Sequence, residues 1–153
     1  MIQPAPVKAT VVIPTFNRAR HLARLLQCLA EQRGDAFARV VVCDDGSSDD
    51  TAAVARSFVP ALPLEYCHQE NRGFRAGQAR NMGLARAVGE VVIFLDDDVL
   101  VAPDFVASHV AAHRGSSRRR VAIGYRHRTF GFDRERVTWD DIVVSEQIGR
   151  AHV

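Results

Sequence analysis

The chain has 153 residues, enough for one domain and cramped for two. With 47% hydrophobic and 25% charged residues it can bury a real core, which excludes disorder as its main state. A net charge of +2 is too balanced to argue for a nucleic-acid partner, and no apolar run reaches the ~18 residues a membrane span needs. The start, MIQPAPVKAT, lacks the long apolar stretch of a signal peptide. Cys28, Cys43 and Cys67 are odd in number and lack CxxC spacing. They argue against a disulfide framework and for a reducing cytoplasm.

Residues 8–16, KATVVIPTF, form a β-branched apolar run that predicts a buried strand. Asn17 is placed to cap the next helix, in which Leu22, Leu25, Leu26 and Leu29 fall at helical spacing and which Gly34 and Asp35 close. Residues 39–43, RVVVC, predict a second buried strand running into DDGSSDDT. A serine there would cap a helix with acids in its first turn and an apolar face of Ala53, Val54 and Phe58. Pro60 and Pro63 break the chain, and residues 64–68, LEYCH, read as a short third strand. A helix follows over 76–87, stopped by Gly89, and then a fourth strand over 90–95, EVVIFL, ending in Asp96-Asp97-Asp98. Pro103 opens a helix through His113, and residues 121–125, VAIGY, predict a fifth strand.

Strands alternating with helices imply an α/β sandwich around a mostly parallel sheet. Ligands of such sheets bind at the carboxyl ends of the strands. The polar clusters lie there: Thr15-Phe16-Asn17, Asp44-Asp45-Gly46 and Asp96-Asp97-Asp98.

Asp96 and Asp98 would leave the same face of an extended strand end. Two carboxylates on one face repel, and a divalent cation resolves the conflict. Oxygen-only ligands suit magnesium or manganese; the competing reading is a solvated loop before the helix near Pro103. Asp45 is placed either to accept hydrogen bonds from a ligand or to serve turn and cap chemistry, and both readings stay open. Arg80 reads first as a solvent-facing helical arginine, with a phosphate or base clamp as the alternative. His109 and His113 stand at a spacing that zinc uses, but no third ligand is evident. Arg118, Arg119 and Arg120 read as a solvated loop. GxGxxG, GxxxxGK[ST] and GxSxG are all missing, which removes the central feature of dinucleotide, P-loop and hydrolase readings.

Together VVIPTFNR (11–18), VVVCDDGSSDDT (40–51), NRGFRAGQARNMGL (71–84) and EVVIFLDDD (90–98) resemble the glycosyltransferase family 2 pattern, which has the GT-A fold. The resemblance implies an α/β/α sandwich with a mostly parallel central sheet, here its nucleotide-sugar-binding half, cut short at the C-terminus. It implies that Pro14, Thr15 and Phe16 line the nucleobase and ribose site. Asp45 would bind the base, and Arg80 the base or diphosphate. Asp96 and Asp98 would form the DxD pair, with Asp98 the direct ligand of manganese or magnesium and Asp97 near the ribose or sugar. The implied activity is transfer of a sugar from a nucleotide diphosphate sugar, a UDP-sugar favoured, to a saccharide or lipid-linked acceptor in polysaccharide or glycoconjugate synthesis. A cytoplasmic protein is expected, with peripheral association at the inner face of the membrane open to it. A nucleotide-sugar-binding module without turnover is the alternative.

The interval from Asn71 to Arg80 is longer than the common family spacing, and GFRAGQARN is more similar to the chondroitin-polymerase and galactosyltransferase-like branch. In the family the catalytic base lies well beyond the DxD pair. Asp140, Asp141 and Glu146 stand too close to that pair to fill the role, so the base is expected past the chain end. Residues 148–153, IGRAHV, match one reading frame of a widely used sequencing adapter. The expectation is one domain over 1–147 and a non-native tail over 148–153.

Overall fold

The computed structural model describes residues 7–115 and 119–124. Strands β1 (Ala9–Thr15), β2 (Phe37–Asp44), β3 (Leu64–His68) and β4 (Val91–Phe94) alternate with helices α1 (Ala19–Ala30), α2 (Thr51–Ser57), α3 (Ala76–Leu84) and α4 (Phe105–His113). Among the described residues the strands form one all-parallel sheet in the order β3-β2-β1-β4. Val12 lies between Val41 and Phe94 in register, and Thr15 lies beside Asp44.

Alternation along the strands builds a core on each face. Val11, Ile13, Val40, Val42 and Ile93 point to one side, where they meet the four leucines of α1, Ala55 of α2 and Val106 and Val110 of α4. Val12, Val41 and Cys43 point to the other side, against Ala79 and Met82 of α3. Right-handed crossovers explain the division. The chain steps outward from β1 to β3 with α1 and α2 on one face. It then reverses direction to reach β4, which puts α3 on the opposite face. Small residues let α3 lie close: a Cβ at Gly83 would stand 2.4 Å from Val12 Cγ1 and 2.6 Å from Cys43 Sγ. The α/β/α sandwich expected from the sequence is therefore present, and its strand order reverses at β1, the kind of switch point at which ligands of open α/β sheets bind.

Several local expectations need correction. Asn17 does not cap α1. Arg18 holds the N-cap position, and Asn17 adopts a left-handed conformation (φ 51°) that turns its side chain toward the β2–α2 turn. No serine caps α2. Asp50 is its N-cap residue, and the Thr51 N–H donates to Asp49 Oδ1 at 3.0 Å. Thr51 and Ala55, not Ala53, are the buried positions of α2. α3 ends at Leu84 rather than residue 87, because Arg86 and Ala87 close tighter turns onto Gly83 and Leu84. Residues 121–124 form no strand, and Val121 and Ile123 are exposed. An apolar run becomes a strand only where a neighbour offers a ladder, and none of the described strands pairs with this one. Tyr125, Arg118, the late acids Asp140, Asp141 and Glu146, and the 148–153 tail lie outside the described residues.

Candidate functional site

Parallel strands end at the same edge, so the residues after β1, β2 and β4 share one rim. Two bonds fasten the three segments together. The Asp45 N–H donates to the Thr15 carbonyl at 2.9 Å, and Thr15 Oγ1 donates to Asp97 Oδ2 at 2.8 Å.

The β2–α2 turn is built on buried carboxylates. Asp44 Oδ1 accepts the N–H groups of Gly46 (3.1 Å) and Ser47 (2.8 Å), and its Oδ2 accepts the Tyr66 hydroxyl at 2.6 Å. Burial first, and this bond second, push the Tyr66 phenol above its usual range. Gly46 sits at φ +92°, and a Cβ there would lie 2.4 Å from the Asn71 backbone nitrogen. Glycine is required on both counts. The β1–α1 turn locks onto the same structure. Asn17 Oδ1 accepts the Ser48 N–H at 2.8 Å, the Asn17 N–H donates to Ser47 Oγ at 2.8 Å, and Asp49 Oδ2 accepts the Ala19 N–H at 3.1 Å. Asp49 thus caps α1 from 30 residues away. Its slight burial pushes its pKa up, but the bonds from Thr51 and Ala19 outweigh this and hold the carboxyl below its usual range.

Asp45 is buried, and both of its oxygens are engaged. Oδ1 accepts Gln69 Nε2 at 2.6 Å, Oδ2 accepts the Arg75 N–H at 2.7 Å, and Arg75 Nε lies 3.8 Å away. The carboxylate therefore anchors the segment entering α3. It retains lone-pair capacity for a ligand N–H as well.

The acids after β4 are held differently. Asp97 is buried, whereas the side chains of Asp96 and Asp98 are 53% and 48% exposed. Asp96 and Asp98 are thus both exposed and Asp97 is not, but the extended strand end from which a shared face was expected is absent: β4 stops at Phe94 and Asp97-Asp98 lie in a turn. Arg80 Nη2 donates to Asp96 Oδ1 at 2.7 Å. Arg18 Nη1 bridges Asp98 Oδ2 at 3.0 Å and Asp97 Oδ1 at 3.3 Å. Burial pushes Asp97 above the usual carboxylate range, against the pull of the Thr15 bond and Arg18. Its hydrogen bond to Asp98 and the charge of Asp97 hold the Arg18 guanidinium more firmly protonated.

Pro14, Thr15, Phe16, Asp45, Arg80, Asp96, Asp97 and Asp98 all lie along this rim. Thr15 is buried and Phe16 is 43% exposed, leaving an aromatic side chain in reach of solvent at the rim. Sequence reasoning missed Arg18, Gln69, Tyr66 and Arg75. No local signal marks Arg18, since its partners Asp97 and Asp98 lie 79 and 80 residues away.

Among the described residues no three His, Cys, Asp or Glu side chains gather into a cation cage. The donor chemistry at Asp96 and Asp98 nonetheless fits manganese or magnesium. These ions accept one or two carboxylates and take the rest of their shell from water and phosphate oxygens. Both carboxylates are reachable, each now balanced by an arginine. His109 and His113 do not converge: His113 Nδ1 lies 2.8 Å from the His109 carbonyl oxygen, and the His109 ring packs edge-on against Phe105 at 4.7 Å.

Residues 10–142 match the model of glycosyl transferase family 2. The chain belongs to glycosyl transferase family 2. It is 43% identical over 126 residues to validoxylamine A glucosyltransferase of Streptomyces hygroscopicus subsp. jinggangensis, covering 81% of this chain and 29% of that protein. It is 37% identical over 101 residues to chondroitin synthase of Escherichia coli, covering 66% of this chain and 15% of that protein, which agrees with the branch suggested by GFRAGQARN. The chain thus spans less than a third of the length of these relatives. Among solved structures, S. aureus TarS 1–349 in complex with UDP-GlcNAc superposes with a TM-score of 0.64 at 32% identity, covering 68% of this chain and 30% of that one. The mannosyltransferase PcManGT of Pyrobaculum calidifontis, in complex with GDP-Man and Mn2+, superposes with a TM-score of 0.60 at 32% identity, covering 71% and 33%. These neighbours share the fold on which the rim is built.

Proposed function

We propose that this chain is the donor-binding half of a metal-dependent glycosyltransferase, which moves a sugar from a nucleotide diphosphate sugar to an acceptor hydroxyl. The observation that carries the reading is the convergence of Thr15, Asp45 and Asp97 through two direct bonds onto one rim flanked by Arg18 and Arg80. Pro14, Thr15 and Phe16 line the base and ribose side. Asp45 accepts from the base while anchoring the approach to α3, and Arg80 meets the base or the diphosphate. Asp96 and Asp98 hold manganese or magnesium, with Asp98 the direct ligand. Asp97, close to the ribose or sugar, serves as a buried post that orients Thr15 and Arg18. When bound, the cation supplies neutralising charge to the departing diphosphate.

A UDP-sugar is favoured because TarS was captured with UDP-GlcNAc, and a divalent cation because PcManGT was captured with Mn2+. The acceptor is a saccharide or lipid-linked saccharide, in polysaccharide or glycoconjugate synthesis. The three free cysteines suit a reducing cytoplasm, with the protein able to work peripherally at the inner membrane face. A nucleotide-sugar-binding module without turnover is the alternative reading; in this chain Asp44, Asp45, Asp96, Asp97 and Asp98 of the rim are all engaged by donors of the protein itself.

The test is thermal unfolding with UDP, with and without manganese. At a hundredfold excess over Kd, ligand should raise Tm by about 5–10 °C. Asp98→Ala should remove the manganese-dependent part of that rise. A shift unchanged in Asp98→Ala contradicts the metal assignment. Turnover of donor without acceptor, or its absence, separates the enzyme from the binding module.

A further inference from the structure

We infer that Arg18 is a displaceable counter-cation: it occupies Asp98 until a divalent ion takes that carboxylate, and its guanidinium then becomes a partner for the diphosphate. The inference rests on the metal reading of the rim and adds a residue which that reading does not use.

The two arginines that meet the acid triplet are not equivalent. Arg80 makes one short bond, 2.7 Å, to one carboxylate. Arg18 spreads a single nitrogen over two carboxylates, at 3.0 and 3.3 Å, instead of forming a bidentate fork on either. It is the looser contact, and its Asp98 end is half exposed on both sides. Its main chain is fixed all the same. Arg18 is the N-cap of α1, and its carbonyl accepts the Leu22 N–H at 2.9 Å. The side chain can therefore swing without disturbing the helix or strand.

Asp97 does not need Arg18 to stay in place, because Thr15 Oγ1 holds its other oxygen at 2.8 Å. Charge supplies the coupling. Three adjacent carboxylates face two guanidiniums, so the cluster is negative and attracts a cation. Once a divalent ion sits on Asp98, the cluster becomes positive and Arg18 has lost a partner. A diphosphate satisfies both, so cation and nucleotide should reinforce each other's binding through Arg18.

The competition predicts effects of opposite sign in one variant. In the 153-residue chain, Arg18→Gln should bind Mn2+ alone about three- to fivefold more tightly, the scale of losing one exposed ion-pair competitor. The same variant should bind UDP at saturating Mn2+ about three- to tenfold more weakly, having lost one charged phosphate contact. Free Mn2+ is read by electron paramagnetic resonance, and UDP binding by calorimetry. Arg18→Lys should fall between wild type and Arg18→Gln. Arg33→Gln removes an exposed arginine in the turn after α1 and should move neither affinity. Unchanged or weaker Mn2+ binding in Arg18→Gln overturns the inference while leaving the metal reading intact. No Mn2+ binding to wild type, with or without UDP, overturns the metal reading and this inference with it.

Discussion

The β2–α2 turn and the acid triplet after β4 share one rim but are held by different means. In the turn, carboxylate and amide oxygens are filled by backbone N–H groups: Asp44 takes Gly46 and Ser47, Asn17 takes Ser48, and Asp49 takes Ala19 and Thr51. In the triplet, Asp96 and Asp98 are held by long, half-exposed arginine side chains. Charge-assisted bonds to fixed amides set a geometry. Exposed ion pairs contribute about 0–1 kcal/mol each and are easily exchanged. The first region is thus built to be a template, and the second to accept a new partner. A single rim carries both a rigid wall and an exchangeable one.

The largest way to break this contrast is Gly46→Ala. A left-handed φ and a clash at 2.4 Å with the Asn71 backbone act together. A loss of about 2–4 kcal/mol is expected in urea unfolding. A loss under about 0.5 kcal/mol would be the surface-substitution scale and would show that the turn is not a rigid template.

Acid titration is a gentler probe, and here the two regions should respond with opposite sign. The Asp49 carboxyl is held below its usual range. Its contribution is present above the ordinary aspartate pKa and is lost as pH falls through the lowered folded value. The Asp97 carboxyl is pushed above its usual range. Its protonated form is the favoured one, so that contribution is complete below the ordinary pKa and is lost as pH rises through the raised value. On acidification, wild type should lose ground to Asp49→Asn and gain ground on Asp97→Asn. Tm profiles of the three proteins between neutral pH and pH 2 would show it. Parallel profiles would mean that the two carboxyls share one environment.

Much of this was legible in the sequence. The β-branched runs of β1 and β2 and the leucine spacing of α1 mark their own burial, and seven of the eight candidate site residues share the rim because parallel strands deliver their ends to one edge; Arg80, inside α3, was suggested only by the family resemblance. What was not legible depends on contacts across the sheet. Asn17 looks like the cap of its own helix, yet it caps a turn 31 residues later. Arg18 looks like a surface helical arginine, yet its partners lie about 80 residues away. Both facts follow from the order β3-β2-β1-β4, which brings β1 beside β2 and β4 at once. Local pattern carries no information about which strands become neighbours. Residues 121–124 failed for the same reason in reverse, since β-branched residues imply a strand only when a ladder partner exists.

The most direct test of a nucleotide site on this rim is amide hydrogen exchange with and without UDP and manganese. Expected is slowed exchange in residues 15–19, 44–51 and 96–98 together, with no change at residues 87–90 at the opposite end of the strands. Protection confined to one of the three segments, or appearing at the opposite end instead, would contradict a shared binding rim.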